Sequence, residues 1–237
     1  MTGQIKSHFY VFCSDRARNG KTLLARLFCG YLPNVGQNQF HVFDTSSPAG
    51  SISRYFPQNS EIIDFNKTSG RVRLFDTVMG NPERNHIVDL QSEHLSDFFE
   101  TYRNIEFDVE ARAQGIGTVV YYMLDRDDKS LQGAHDLQDQ INFAECILVK
   151  NDQIEKRSSY NPDSDLAVSL NHLRTIRLPV LSDELLNILE QETFSLFDFI
   201  AGKEADIAYD IKLELWNLLD FFYGQRSPDS HGVTHYI

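Results

Sequence analysis

Gly20-Lys21-Thr22 is a triplet whose residue types and order suit the handling of a phosphate chain. Glycine lets the backbone come close to an anion, and the first turn of a helix offers unpaired N–H groups at the positive end of its dipole. A lysine there neutralises β- and γ-phosphate charge, and a threonine hydroxyl is a hard ligand for Mg²⁺. This chemistry needs a strand before the triplet and a helix after it. Residues 8–13 (HFYVFC) form an apolar, aromatic run of strand length, and residues 21–31 carry Leu23, Leu24, Leu27 and Phe28 at helical spacing. Residues 14–22 are therefore read as a P-loop, with Asp15, Arg16, Ala17, Arg18, Asn19, Gly20, Lys21 and Thr22 around the phosphates. Asp15 stands where the common G-x-x-x-x-G-K-[ST] pattern has its first glycine, and a bare G-K-T also begins ordinary helices with a solvated lysine.

Magnesium calls for a carboxylate at the end of an apolar strand. Asp89, near the end of 86–90 (HIVDL), is the choice for the acid that accepts bonds from water on Mg²⁺, with Thr22 as the hydroxyl beside it. Asp76 in 71–78 (RVRLFDTV) is the rival; a crossover helix at 93–103 favours Asp89. Asp125 also ends a strand, but with Asp127 and Asp128 it reads more simply as a helix-capping loop acid.

The run Arg16-Ala17-Arg18-Asn19-Gly20-Lys21-Thr22 resembles the deviant Walker A loop, K-G-G-x-G-K-[ST], of the ParA and MinD ATPases. The resemblance implies Mg-ATP as cofactor, slow ATP hydrolysis, and a nucleotide-controlled positioning, partition or transfer factor acting through a protein partner. It also implies a homodimer formed over nucleotide. Arg16 stands where the family has a lysine that reaches across the dimer, so Lys21 and Arg16 are the expected catalytic cations. Ala17 and Arg18 replace two glycines, which requires a different bend or unusual backbone angles. The segment 40–44 (FHVFD) with the following T-S-S-P is similar to the family's second strand and its D-x-D-P switch. Asp44 survives as a candidate catalytic residue, or as a plain strand-end turn former. Ser46 occupies the place of the second carboxylate and is a far weaker base, so hydrolysis is expected to be slow or partner-dependent. By the same resemblance Asn151, after the strand 146–149, faces the adenine edge, and Pro179 packs on the base. A guanine site would want N-K-x-D, and the order K-N-D here favours adenine.

The elements that would position these residues alternate. Strand-like runs at 8–13, 40–43, 71–78, 86–90, 117–124, 146–149 and 175–180 are interleaved with helical patterns at 93–103, 130–142, 165–172, 183–200 and 205–223. This predicts an α/β fold: a three-layer P-loop NTPase arrangement, mostly parallel, with helices on both faces. The turn at Gly80-Asn81-Pro82 suggests that 71–78 is an antiparallel edge strand. One domain over 1–225 and a polar tail over 226–237 are expected; His231 and His235 in that tail lack a third metal ligand.

The 237 residues carry a net charge of -12, which disfavours direct DNA binding. No apolar run is long enough to span a membrane, and no leader pattern is present, so a cytoplasmic location is expected. Cys13, Cys29 and Cys146 fit reduced core thiols. The last helical pattern is acidic, which argues against lipid docking and leaves its extra aromatic width as core or as a partner surface. Two other readings stay open: a degenerate module that binds nucleotide or partner without hydrolysis, and a P-loop small-molecule kinase or ATP-dependent ligase.

Overall fold

The computed structural model describes residues 4–37, 39–125, 127–155, 164–203 and 207–226. Its centre is β1 (Ser7–Cys13), followed by α1 (Lys21–Asn34). Then come β2 (Phe40–Asp44), the short edge strand β3 (Ser60–Ile62), α2 (Thr68–Gly80) and β4 (Asn85–Asp89). The chain next forms α3 (Leu95–Asn104), α4 (Phe107–Ala113), β5 (Ile116–Met123) and α5 (Asp128–Gln138). It continues through β6 (Glu145–Asn151), α6 (Asp152–Glu155), α7 (Asp165–Ser169) and β7 (Arg174–Leu178). α8 (Asp183–Leu189), α9 (Leu196–Ile200) and α10 (Tyr209–Arg226) follow.

The seven strands make one sheet in the order β3-β2-β4-β1-β5-β6-β7, and every pairing is parallel. Parallel strands need covering on both faces, and the sequence supplies two apolar faces by simple alternation. Tyr10 and Phe12 of β1 point into one core with α1, α8, α9 and α10, while Phe9, Val11 and Cys13 point into the other with α2, α3, α4, α5 and α7. The second core is rich in aromatics: Phe98 and Phe107 lie 5.0–6.3 Å from neighbouring rings such as Phe9 and Phe75. The chain leaves β4 on one side of β1 and returns as β5 on the other. That reversal opens a crevice at the carboxyl ends of the central strands, where ligands of open α/β sheets bind.

Three expectations are corrected. Residues 71–78 are helix α2 and not an antiparallel strand. Val72, Leu74 and Val78 alternate well enough to mimic a strand, but Leu74, Phe75 and Val78 are the buried set, a spacing that only a helix brings to one face. The helix predicted over 183–200 is two helices, α8 and α9, separated by an irregular segment. The helix expected from 93 starts at Leu95, after a short 3₁₀ turn over Ser92–His94. The tail over 227–237, with His231 and His235, lies outside the described residues.

Candidate functional site

The loop between β1 and α1 caps the carboxyl end of the central strand. It turns through two left-handed residues, Arg18 at φ 61° and Gly20 at φ 98°. The unusual angle required by the missing glycines is thus carried by Arg18 and not by Ala17, at a cost on the order of 1–3 kcal/mol for a non-glycine residue. Gly20 is needed for a second reason: a Cβ there would lie 2.9 Å from Asn151 Nδ2. Asn151, at the end of β6, donates from Nδ2 to Asn19 O at 3.0 Å, and its Oδ1 accepts from the Gln153 amide at 3.0 Å. Its carboxamide braces the loop from behind.

Lys21 is buried beneath this loop. Its ammonium donates to Ser14 Oγ at 2.8 Å and to Arg16 O at 2.9 Å. Burial lowers its pKa, and the negative charge of Asp89, Asp15 and Asp125 works the other way. α1 has no side-chain cap; the first amide of its ladder is Leu24 N, which donates to Gly20 O at 2.9 Å. The helix start, with its positive dipole end, faces the loop.

On the β4 side, register sets Asp44 beside Asp89 at the ends of adjacent strands. Thr22 Oγ1 donates to Asp89 Oδ2 at 2.7 Å, and Ser51 Oγ lies 3.0 Å from the same oxygen. Asp89 Oδ1 is buried with no hydrogen-bond partner among the described residues. Burial, aided by the charge of Asp44, pushes the Asp89 carboxyl up to about 6 against the bonds from Thr22 and Ser51. Asp44 is different. Burial would raise its pKa, but bonds from the Ser46 hydroxyl and from the amides of Ser53, Ser51 and Ser46 win and hold it below the ordinary carboxylate range. Those amide bonds measure 3.0, 2.5 and 3.0 Å respectively. With Ser46 Oγ also on Asp44 and 2.7 Å from Ser51 Oγ, the carboxylate is spent on shaping residues 46–53. The far end of this segment is pinned by Tyr55, whose ring lies 3.3 Å from the guanidinium carbon of buried Arg26.

On the β5 side, Arg16 turns away from the loop centre. It pairs with Asp127, and its Nε lies 3.8 Å from Asp15 and 4.0 Å from Asp125. The hydrogen bond to Asp127 raises the guanidinium pKa. Asp15 accepts from Ser130 Oγ at 3.1 Å. Beyond Gly20 a cavity of about 240 Å³ is lined by Leu23, Asn151, Leu178, Pro179 and Leu181, with Arg18 and Glu190 at polar positions. That is smaller than the ~300–1,000 Å³ of pockets enclosing whole drug-sized ligands, and of the order suited to one flat ring.

The structure therefore brings together Lys21, Thr22, Asp89 and Asp44, and separately Gly20, Asn151 and Pro179. Asp76 is exposed on α2, away from the strand ends, and drops out as a metal acid. Ser51 and Ser53 were missed, and Asp127 was read only as a helix-capping acid. The run of small hydroxyl residues after Asp44 was the available signal, because Ser and Thr offer donors to a carboxylate-centred turn. Among the described residues no group of three or more His, Cys, Asp or Glu is placed to hold a metal ion by itself. Mg²⁺ does not require one, since it keeps waters and phosphate oxygens around one or two carboxylates. No helix of the described residues is long and apolar enough to cross a membrane.

The sequence matches no protein-family model and no curated protein. Among solved structures, the MinC:MinD cell division protein complex of Aquifex aeolicus is similar over 97% of this chain and 99% of that chain, with a TM-score of 0.47 and 9% sequence identity.

Proposed function

We propose that this chain binds Mg-ATP at the β1–α1 loop and acts, as the loop's resemblance to ParA and MinD ATPases implies, as a nucleotide-controlled factor working through a protein partner. The observation that carries the reading is the convergence of Lys21, Thr22 and Asp89 at the uncapped start of α1, with Asp89 Oδ1 buried and unpartnered. A buried carboxylate oxygen without a donor is costly, and a hydrated cation is the kind of group that satisfies it. Lys21 would exchange its bonds to Ser14 Oγ and Arg16 O for phosphate oxygens. Thr22 and Asp89 would hold Mg²⁺, which when bound supplies charge neutralisation at the phosphates. The apolar cavity beside Gly20 would take the base, with Pro179 on its wall.

The geometry also supports slow turnover. A water-activating base must be free to accept a proton, yet Asp44 is saturated by Ser46, Ser51 and Ser53, and Ser46 is itself bonded to Asp44. Nucleotide binding with little or no hydrolysis in the isolated chain is the expected behaviour, and a partner or a nucleotide-dependent homodimer would be needed to speed it.

The test is calorimetric titration of ATP and GTP, each with Mg²⁺, onto wild type and Lys21→Ala, with molecular mass followed in solution. ATP should bind in preference to GTP. Lys21→Ala should weaken ATP at least about ten-fold, the loss expected for one charge-assisted contact. Equal ATP affinity in the two proteins would refute the loop as the phosphate site.

A further inference from the structure

Asp127 occupies the N-cap position of α5, yet its side chain makes no capping bond. Aspartate at that position ordinarily accepts from the amides of the first helical turn and so stabilises the helix. Here the carboxylate turns to the phosphate loop. Its Oδ2 meets Arg16, while Oδ1 is buried with no hydrogen-bond partner among the described residues. Asp125 and Asp15 stand behind the same guanidinium, at 4.0 and 3.8 Å. Three carboxylates thus surround Arg16, one of three cations of this loop; of the other two, Lys21 is directed inward and Arg18 lines the cavity beyond Gly20.

Resting on the Mg-ATP reading, we infer that Asp127 is a positioning residue that holds Arg16 off the phosphate site. Arg16 is half-exposed, and its guanidinium is turned to Asp127. It can therefore serve either the carboxylates or a phosphate tail, but not both with the same donors. Moving it to phosphate takes the guanidinium away from Asp127, whose Oδ1 is already buried, and that loss opposes the move. The ion pair therefore lowers nucleotide affinity and keeps Arg16 in this chain until the β5–α5 loop lets go. A partner that supplied its own cation to Asp127 would release Arg16 and tighten nucleotide binding, which gives the proposed protein partner a definite place to act. A half-exposed pair is worth only a small multiple in affinity, so the device is a modest bias and not a lock.

A double-mutant cycle on the full chain tests this, with Mg-ATP as the probe and wild type, Asp127→Asn, Arg16→Ala and the double variant compared by calorimetry. Asp127→Asn should bind ATP about three- to five-fold more tightly than wild type. The gain should vanish when Arg16 is alanine, and Asp127→Glu, which keeps the charge, should restore the wild-type affinity. An unchanged or weaker affinity in Asp127→Asn overturns the inference while leaving the ATP site intact. A gain that persists in the double variant also overturns it, because the carboxylate would then be repelling phosphate directly. Absence of ATP binding in all four proteins would sink the nucleotide reading and this inference together.

Discussion

The two flanks of β1 are built on opposite electrostatic plans. Towards β4, Asp44 and Asp89 are fully buried and are met by short neutral donors: the hydroxyls of Thr22, Ser46 and Ser51 and the amides of 46, 51 and 53. Towards β5, Asp15, Asp125 and Asp127 share one half-exposed arginine. Buried charge must be paid for with hydrogen bonds of fixed geometry, whereas an exposed pair needs only proximity and is screened by salt. The difference separates the two sides: the β4 flank is held in one arrangement by directed bonds, and the β5 flank is adjustable.

The comparison breaks first at Asp44. Replacing it by alanine strands the amides of Ser46, Ser51 and Ser53 at a buried position, at a cost of about 1–3 kcal/mol for each amide left without a partner. Urea unfolding should show a loss of about 3 kcal/mol or more; a loss under about 1 kcal/mol would mean that the segment repacks freely and the flank is not preorganised.

The same exclusion of water is readable at the other end of β4. His86 is fully buried, with Nε2 bonded to Asn81 O at 3.1 Å and Nδ1 buried without a hydrogen-bond partner among the described residues, an arrangement that suits the neutral ring. Burial lowers its pKa from 6.5 to about 4, the Asn81 carbonyl opposing this and His41 and Arg84 adding to it. Because the folded value lies below the unfolded one, the folded state binds fewer protons between pH 6.5 and 4. Stability is therefore complete above about pH 6.5 and is lost as the pH falls through that window, by about 3 kcal/mol at the limit. Unfolding free energies at pH 7 and pH 4, in wild type and His86→Gln, should differ in slope by roughly this amount. Parallel slopes would place water around His86.

How much of this was legible in the sequence depended on locality. β1, its loop and α1 are contiguous, and each carries its own signal: an apolar run, a G-K-T triplet, leucines at helical spacing. The place of Asp89 at the end of a buried strand was legible from the apolar run before it. Residues 71–78 were misread because alternation at Val72, Leu74 and Val78 competes with a helical set that includes Phe75, and only the aromatic core of Phe9, Phe98 and Phe107 decides between them. The break between α8 and α9 carries neither glycine nor proline, and its local signal, Ser195 as the N-cap of α9, went unread. Asn151 was assigned to the base by analogy, while its observed bond to Asn19 O depends on the approach of β6 to Gly20, a tertiary fact. Asp127 looked like an ordinary cap because its residue type and position are those of one; only the turn of its side chain sets it apart.

The smallest expected effect is the one that sharpens the contrast most. Arg16→Gln removes the guanidinium that lies within 4.0 Å of Asp15, Asp125 and Asp127, so a rigid, buried cluster would lose several kcal/mol. Asp15 and Asp127 are partly exposed and can rehydrate and turn outward while Asp125 stays largely buried, and the loss should stay under about 1 kcal/mol. Salt separates the two cases further. At about 1 M the Debye length falls to about 3 Å, so the difference between wild type and Arg16→Gln should shrink towards zero there, while that of Asp44→Ala should persist. Unfolding measured in low and high NaCl provides the check; a large, salt-insensitive loss in Arg16→Gln would make the β5 flank as fixed as the β4 flank and remove the distinction between them.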